Sequence, residues 1–142
     1  MIPWMALHAS DRDAALKARR AWERGDWDLL VEAVHPDVEW IDQSRIDARR
    51  SLRGLDQLRA AYRTWVGTWS SYEAGHGEIF DLGGGRFYVP TWERGRGKGS
   101  GVEVERIGAD VFEVSDGRVV RMQTFGDRAT ARAAAGLPPE MD

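Results

Sequence analysis

The chain has 142 residues and a formal net charge of −3 at pH 7, a size that fits one domain with its own hydrophobic core. It contains no cysteine, so disulfides, thiolate metal sites and cysteine nucleophiles are excluded, and a reducing cytoplasm is the expected location. Acids and bases are interspersed and the apolar runs are short. We therefore expect no binding to nucleic acid, no membrane span and no signal peptide.

Three helices are predicted in the first half of the chain. The first begins after Ser10, whose hydroxyl can cap it, and ends at Gly25. The second is capped by Asp26 and ends at His35 and Pro36, because the residue before a proline disfavours helical geometry. The third has one apolar face, formed by residues at alternating spacings of three and four: Leu55, Leu58, Tyr62, Trp65 and Trp69.

A short strand is predicted between the second and third helices. Val38, Trp40 and Asp42 alternate with other residues there, so their side chains share one face. The stretch 43–53 that follows is polar and basic, and it is predicted to be a loop.

The second half of the chain is predicted to be mainly β. Four strands rich in aromatic and β-branched residues are expected at 72–82, 86–94, 102–114 and 118–125. Three segments connect them as turns or loops, namely 83–85, 95–101 and 116–117. A final helix follows Asp127 and runs to Ala135. This segregation predicts one α+β domain over residues 1–142, with a core at 10–137 and loose ends.

Seven short segments occur in a characteristic order: GDWDLL at 25–30, HPDVEW at 35–40, RG at 53–54, GSGVEV at 99–104, DVF at 110–112, DGRVV at 116–120 and DRA at 127–129. In wording and order they resemble the SnoaL-like proteins of the nuclear-transport-factor-2-like superfamily, which includes relatives of polyketide cyclases and steroid isomerases. The resemblance implies a strongly curved antiparallel sheet that forms a cone, with about three to four helices on one face, an interior pocket and usually a homodimer. It says little about the reaction, because members include isomerases, cyclases, dehydratases, epoxide hydrolases and binders without chemistry.

Asp110 is the first candidate for a catalytic residue. Strand alternation places it on the face of Phe112 and Val114, so its carboxyl group is expected to face the pocket. Desolvation there raises the pKa of a carboxyl group towards values useful in proton transfer. In SnoaL-like cyclases a strand aspartate near this position abstracts a proton from carbon, and the resemblance implies that role here. The alternative is a structural ion pair with an arginine such as Arg106.

Asp42 and His76 are the candidates for a catalytic partner of Asp110. Asp42 ends the first predicted strand, and the resemblance implies a general base in a similar region of the steroid isomerases. Alternatively, Asp42 starts a loop and bonds nearby backbone N–H groups. His76 either points inward with Tyr72 and Phe80 or lies on a solvent face. No two histidines have the spacing of metal ligands, so neither a metal nor another cofactor is expected.

Aromatic and apolar side chains are the candidates for the pocket wall. These substrate-binding candidates are Trp40, Tyr62, Trp65, Trp92, Phe112, Met122 and Thr124. Such walls suit a small apolar or aromatic molecule. An aromatic stripe on a helix fits ordinary packing against a sheet equally well.

Two functions follow from this interpretation. The first is a cofactor-independent enzyme of the isomerase, cyclase or dehydratase type, in which Asp110 transfers a proton of an apolar substrate. The second is a ligand-binding or carrier domain without chemistry. Apolar residues on the face opposite Asp110, such as Ile107, Ala109 and Val111, predict a homodimer through the sheet.

Overall fold

The computed structural model describes residues 3–45 and 48–139. Its elements are α1 Pro3–Arg24, α2 Trp27–Ala33, β1 Val34–Arg45, β2 Ala48–Arg53, α3 Gly54–Thr68, β3 Trp69–His76, β4 Phe80–Gly83, β5 Arg86–Gly97, β6 Glu103–Ser115, β7 Arg118–Phe125 and α4 Arg128–Ala135. Within these described ranges, no helix combines the length and the apolar character needed to cross a bilayer. The loose ends predicted before residue 10 and after residue 137 lie partly outside the described residues.

The strands form one mixed sheet. Its order is β2-β1-β7-β6-β5-β3, and β4 pairs with β5. Among the described strands every pair is antiparallel except β1 and β7, which run parallel and are separated in the chain by α3 and five strands. The sheet is curved and unclosed, and the predicted α+β class is confirmed.

Both faces of the sheet bury apolar side chains. The inner face is covered by α1, α2 and α3, and Phe112 of β6 packs there in the larger core cluster. The outer face is partly covered by α4, where Ala109 and Val111 pack with Ala131 in a second cluster. Alternation along β6 therefore places Asp110 on the inner face, with the helices of the first half.

Two predictions for the first half of the chain are wrong. The polar stretch 43–53 is not a loop, because β1 extends to Arg45 and the residues Ala48–Arg53 form β2. β2 is an edge strand of the sheet. Exposed charged residues on an edge strand protect it from pairing with other chains, and they give the strand the polar composition of a loop. The first helix begins at Pro3 rather than after Ser10, because the intervening Met, Ala and Leu residues favour a helix and proline is common at its first position.

The predicted strand 72–82 consists of two strands. β3 ends at His76 and β4 begins at Phe80. The break lies beside Pro90 of β5, which has no N–H with which to continue the ladder, although its carbonyl oxygen accepts from Gly77 N over 2.9 Å. A proline in the partner strand thus divides a segment whose sequence predicts one continuous strand.

The glycine-rich segment 95–101 is a loop only in part. β5 continues to Gly97, and the turn that follows occupies residues 98–100. Gly95 makes room for an aromatic ring, because a Cβ atom there would lie 2.5 Å from the Trp69 side chain. This glycine serves close packing within a strand rather than loop mobility.

Candidate functional site

A cavity of about 350 Å³ lies between the inner face of the sheet and helices α1 and α3. That volume suits a small organic molecule. Seven of the predicted site residues line it, namely Asp110, Asp42, Trp40, Trp65, Phe112, Met122 and Thr124. The other lining residues were not site candidates from the sequence, and they include Arg19, Trp22, Arg50 and Glu93.

Asp110 is a buried acid in the cavity wall. It is 7 % exposed, and β6 sets it opposite Thr124 of β7. Arg19 of α1, which is 3 % exposed, donates from Nη1 to Asp110 Oδ2 over 3.2 Å. Burial raises the pKa of the Asp110 carboxyl group above its ordinary value, and Arg19 and a hydrogen bond from Thr124 only partly oppose that rise. A carboxyl group in this state is suited to proton transfer.

Contacts behind the cavity hold Arg19 in place. Its Nε donates to Glu23 Oε2 over 2.8 Å, and its Nη2 donates to the carbonyl oxygen of Gly75 over 3.4 Å. His76 Nδ1 lies 2.8 Å from the same Glu23 oxygen. His76 is therefore outside the cavity lining and is connected to it through Glu23 and Arg19.

Glu93 of β5 is a second acid in the cavity wall. Arg106, its cross-strand neighbour, donates from Nη2 to Glu93 Oε2 over 2.8 Å, and its guanidinium lies 5.8 Å from the centroid of Trp65. The pair between Arg106 and Asp110 that was expected as the alternative is not formed, because Asp110 pairs with Arg19. Burial raises the pKa of the Glu93 carboxyl group, Arg106 opposes the rise, and Asp110 adds to it.

Asp42 lies at the rim of the cavity, next to the exposed side chain of Arg50. Asp42 Oδ1 accepts from Ser44 N over 3.0 Å and from Ser44 Oγ over 2.6 Å, and Oδ2 accepts from Arg50 Nη2 over 3.3 Å. The Arg50 guanidinium lies 5.8 Å from the centroid of Trp40, whose Nε1 donates to Thr124 Oγ1 over 2.9 Å. Asp42 thus makes the backbone contact of its structural alternative and also lines the cavity.

Two predicted wall residues do not line the cavity. Tyr62 is buried beside Trp22 and Trp27, with ring centroids 5.7 and 5.4 Å apart. Trp92 lies on the outer face and is 40 % exposed. Its indole covers Gly75, where a Cβ atom would lie 2.6 Å from the ring. The structure therefore places Tyr62 in the core and Trp92 on the opposite side of the sheet.

Arg19 and Glu93 could have been recognised as site candidates from their spacing in the sequence. Arg19 lies four residues after Ala15 and three before Trp22, so it shares the apolar face of α1. Glu93 follows Val89 at even spacing, so it shares the inner face of β5. A charged residue in phase with an apolar face indicates a buried ion pair or a functional site.

The cavity combines aromatic walls with three carboxyl groups, those of Asp42, Glu93 and Asp110, each paired to a guanidinium. This arrangement can bind a small, largely apolar molecule and exchange protons with it. In residues 3–45 and 48–139, no group of three His, Asp or Glu side chains converges to hold a metal ion.

Solved structures share this fold at low sequence identity. A protein from Jannaschia sp. CCS1 described as a SnoaL-like polyketide cyclase is 19 % identical, with a TM-score of 0.72 over 92 % of this chain and 94 % of that chain. An LEH-like epoxide hydrolase from M. tuberculosis is 18 % identical, with a TM-score of 0.67 over 84 % of each chain. TerC, crystallised with polyporic acid, is 15 % identical, with a TM-score of 0.71 over 89 % of this chain and 98 % of that chain.

The sequence itself supplies the family assignment. No curated protein sequence matches the chain at a significant level. The sequence profile of the SnoaL-like domain, however, matches residues 15–122, which is more than half of the chain. That range includes α2, α3, the last part of α1 from residue 15 to residue 24, and the strands that carry Asp110 and Glu93. The chain belongs to the SnoaL-like domain family.

Proposed function

We propose that this chain is a cofactor-independent enzyme of the isomerase, cyclase or dehydratase type that acts on a small apolar or aromatic molecule. The observation that carries the proposal is the buried carboxyl group of Asp110 in a cavity with Trp40, Trp65 and Phe112 in its walls. An apolar site of this kind shifts a carboxyl group towards proton-transfer chemistry. Fold neighbours described as a polyketide cyclase and an epoxide hydrolase support small-molecule chemistry in this fold.

The proposed mechanism uses Asp110 as a proton acceptor and Arg19 as a fixed cation. Ionised Asp110 takes a proton from an acidic C–H group of the bound substrate. Although burial lowers it, the pKa of Arg19 is raised overall by Asp110 and Glu23, so its guanidinium stays charged. That fixed charge stabilises negative charge that develops beside Asp110. Trp40 and Trp65 hold a flat substrate against their faces.

A ¹³C NMR titration of the carboxyl groups tests this proposal. We expect Asp110 to titrate above the ordinary aspartate pKa of about 3.9, because burial outweighs its hydrogen bonds and its ion pair. The resonance is assigned by its loss in Asp110→Asn. A midpoint at or below the ordinary value would eliminate the general-base mechanism and leave ligand binding as the function.

The alternative function is a ligand-binding or carrier domain without chemistry. The observation in its favour is the Arg19–Asp110 ion pair at 3.2 Å, because a guanidinium can hold a buried carboxylate for structural reasons alone. Polyporic acid, the ligand crystallised with TerC, is a suitable probe, with quenching of tryptophan fluorescence as the signal. Binding that yields no product and is unaffected by Asp110→Asn would favour this alternative.

We also propose a homodimer through the outer face of the sheet. α4 leaves two neighbouring apolar side chains uncovered, Ile107 at 63 % and Trp92 at 40 % exposure, and such a surface favours contact with a second copy. Light scattering at micromolar concentration should give twice the chain mass of 16.0 kDa. Ile107→Lys should return it to the monomer mass, whereas the control Val66→Lys, at an exposed position on α3, should not. A monomer mass for the unmodified chain would contradict the proposal.

A further inference from the structure

Glu93 occupies a position that the mechanism above does not use. Its side chain is 11 % exposed and faces the cavity from β5, on the same inner face as Asp110. Of the two partners predicted for Asp110, Asp42 is held at the rim by Ser44, and His76 lies outside the cavity lining. Glu93 is thus a carboxyl group inside the cavity, where a second proton-transfer group is needed.

The charges around these two acids do not balance when every group is ionised. Arg19 and Arg106 supply two guanidiniums, whereas Asp110, Glu93 and Glu23 supply three carboxylates. An uncompensated charge is costly in a desolvated site. A proton retained by one of the carboxyl groups removes the excess.

Two further titratable side chains face this cluster from β3. Burial, with a contribution from Glu93, raises the pKa of the Tyr72 phenol, so Tyr72 adds no charge. His76 shares a hydrogen bond with Glu23 and adds a cation only when it is protonated. Where His76 is neutral, the cluster therefore retains one excess carboxylate.

We propose that Glu93 is the second proton-transfer residue of the cavity and that it holds a proton while Asp110 is ionised. The inference rests on the proposed function, because it assigns the acid that works with the Asp110 base. Both carboxyl groups line the cavity, and each is held by one guanidinium. Glu23, the third carboxylate, lies outside the lining and accepts from both Arg19 and His76.

A protonated Glu93 in the same cavity as an ionised Asp110 fits the enolisation of a ketone. The α-C–H bond of the substrate breaks and its proton goes to the Asp110 carboxylate. The electron pair of that bond forms the C=C bond of the enol, and the carbonyl oxygen receives the proton of neutral Glu93. The pair holds one proton before and after the step, so no other reactant is needed. The substrate class is an enolisable ketone with an apolar or aromatic body.

The first test is a ¹³C titration of Glu93 in the unmodified chain and in Asp110→Asn. Two carboxyl groups whose charges interact titrate as a coupled pair. Removal of the Asp110 charge should therefore lower the apparent pKa of Glu93, because Asp110 is one of the groups that raise it. A Glu93 midpoint that is the same in both proteins would overturn the inference, and this test leaves Glu93 itself unaltered.

The second test measures exchange of the α-protons of β-tetralone with D₂O by ¹H NMR. Glu93→Gln should slow the exchange by about 100-fold or more, as loss of a general acid or base does. The matched control is Glu105→Gln on the outer face of the same sheet, where the side chain is 73 % exposed, and its rate should stay within twofold. A shift of the pH–rate profile in Glu93→Gln is the readout that a merely structural role would not produce.

The outcomes separate this inference from the function on which it rests. Loss of exchange in Asp110→Asn together with a normal rate in Glu93→Gln would overturn the role of Glu93 and leave Asp110 as the sole proton-transfer group. Bound β-tetralone that shows no exchange in the unmodified chain would overturn both. Loss of exchange in each variant, with the coupled titration, would establish the pair.

Discussion

Replacing Asp110 by asparagine is expected to reduce turnover by about 10²–10⁴-fold, the usual contribution of a general base. Asparagine keeps the size of the side chain and an oxygen that accepts from Arg19, but it cannot take a proton. The measurement is the rate of α-proton exchange of β-tetralone in D₂O. Asp28→Asn, at an exposed position in the first turn of α2, is the matched control. A rate in Asp110→Asn equal to that of the control would remove Asp110 from the chemistry.

The same substitution is expected to change the free energy of unfolding by less than about 1 kcal/mol at neutral pH, because Arg19 keeps its ion pair with Glu23 when the Asp110 charge is removed. The pKa of Asp110 is raised in the folded state by burial. Its contribution to stability is therefore largest at low pH and is lost as the pH rises through the folded pKa. Urea unfolding of both proteins should be measured from acid to neutral pH. As the pH rises, the free energy of unfolding of the unmodified chain should fall relative to that of Asp110→Asn. The opposite trend would mean that Arg19 lowers the pKa of Asp110 by more than burial raises it.

Elements with local signals could be predicted from the sequence. The residues 118–125 form β7 as predicted, because the turn Asp116-Gly117 comes before them and marks a hairpin. α4 follows Asp127, whose Oδ1 accepts from Thr130 N over 2.8 Å. β2 could not be predicted, because an edge strand is defined by the strand beside it and not by its own polar composition.

The ion-pair partners of Arg106 and Asp110 could not be predicted without the sheet register. Arg106 and Asp110 lie four residues apart on one face, a separation of about 13 Å along a strand, whereas cross-strand neighbours lie about 5 Å apart. Arg106 therefore pairs with Glu93, directly opposite on β5. Asp110 is left to Arg19, which arrives from a helix. Sequence spacing alone contains neither the register nor the docking of α1.

The aromatic wall shows a similar limit. The stripe on α3 predicts which side chains face the sheet, and it contains both Tyr62 and Trp65. Only Trp65 lines the cavity, because Trp22 of α1 and Trp27 surround Tyr62. Helical periodicity identifies a buried face, but the boundary between core and cavity depends on which neighbouring element fills the space.

Replacing Arg19 by methionine is expected to reduce the free energy of unfolding by about 3–5 kcal/mol, the cost of removing one partner from a buried ion pair. Methionine retains most of the apolar stem of arginine, but Glu23 and Asp110 then face each other without the cation between them. The pKa of Asp110 should rise further, because Arg19 is the largest opposing influence. Urea unfolding at neutral pH measures the loss in stability, and the ¹³C titration measures the change in pKa.

Two comparisons separate charge from packing in this result. Arg20→Met makes the same substitution at the next, exposed position of α1, and it should change stability by less than about 0.5 kcal/mol. In the Asp110→Asn background, Arg19→Met should cost less than in the unmodified chain, because one of the two carboxylates has been removed. The loss should also shrink as the pH falls, since protonation of Asp110 removes the same charge. A loss that is independent of both pH and Asp110 would show that Arg19 stabilises the fold by packing, and the electrostatic basis of the proposed Asp110–Glu93 acid–base pair would fail with it.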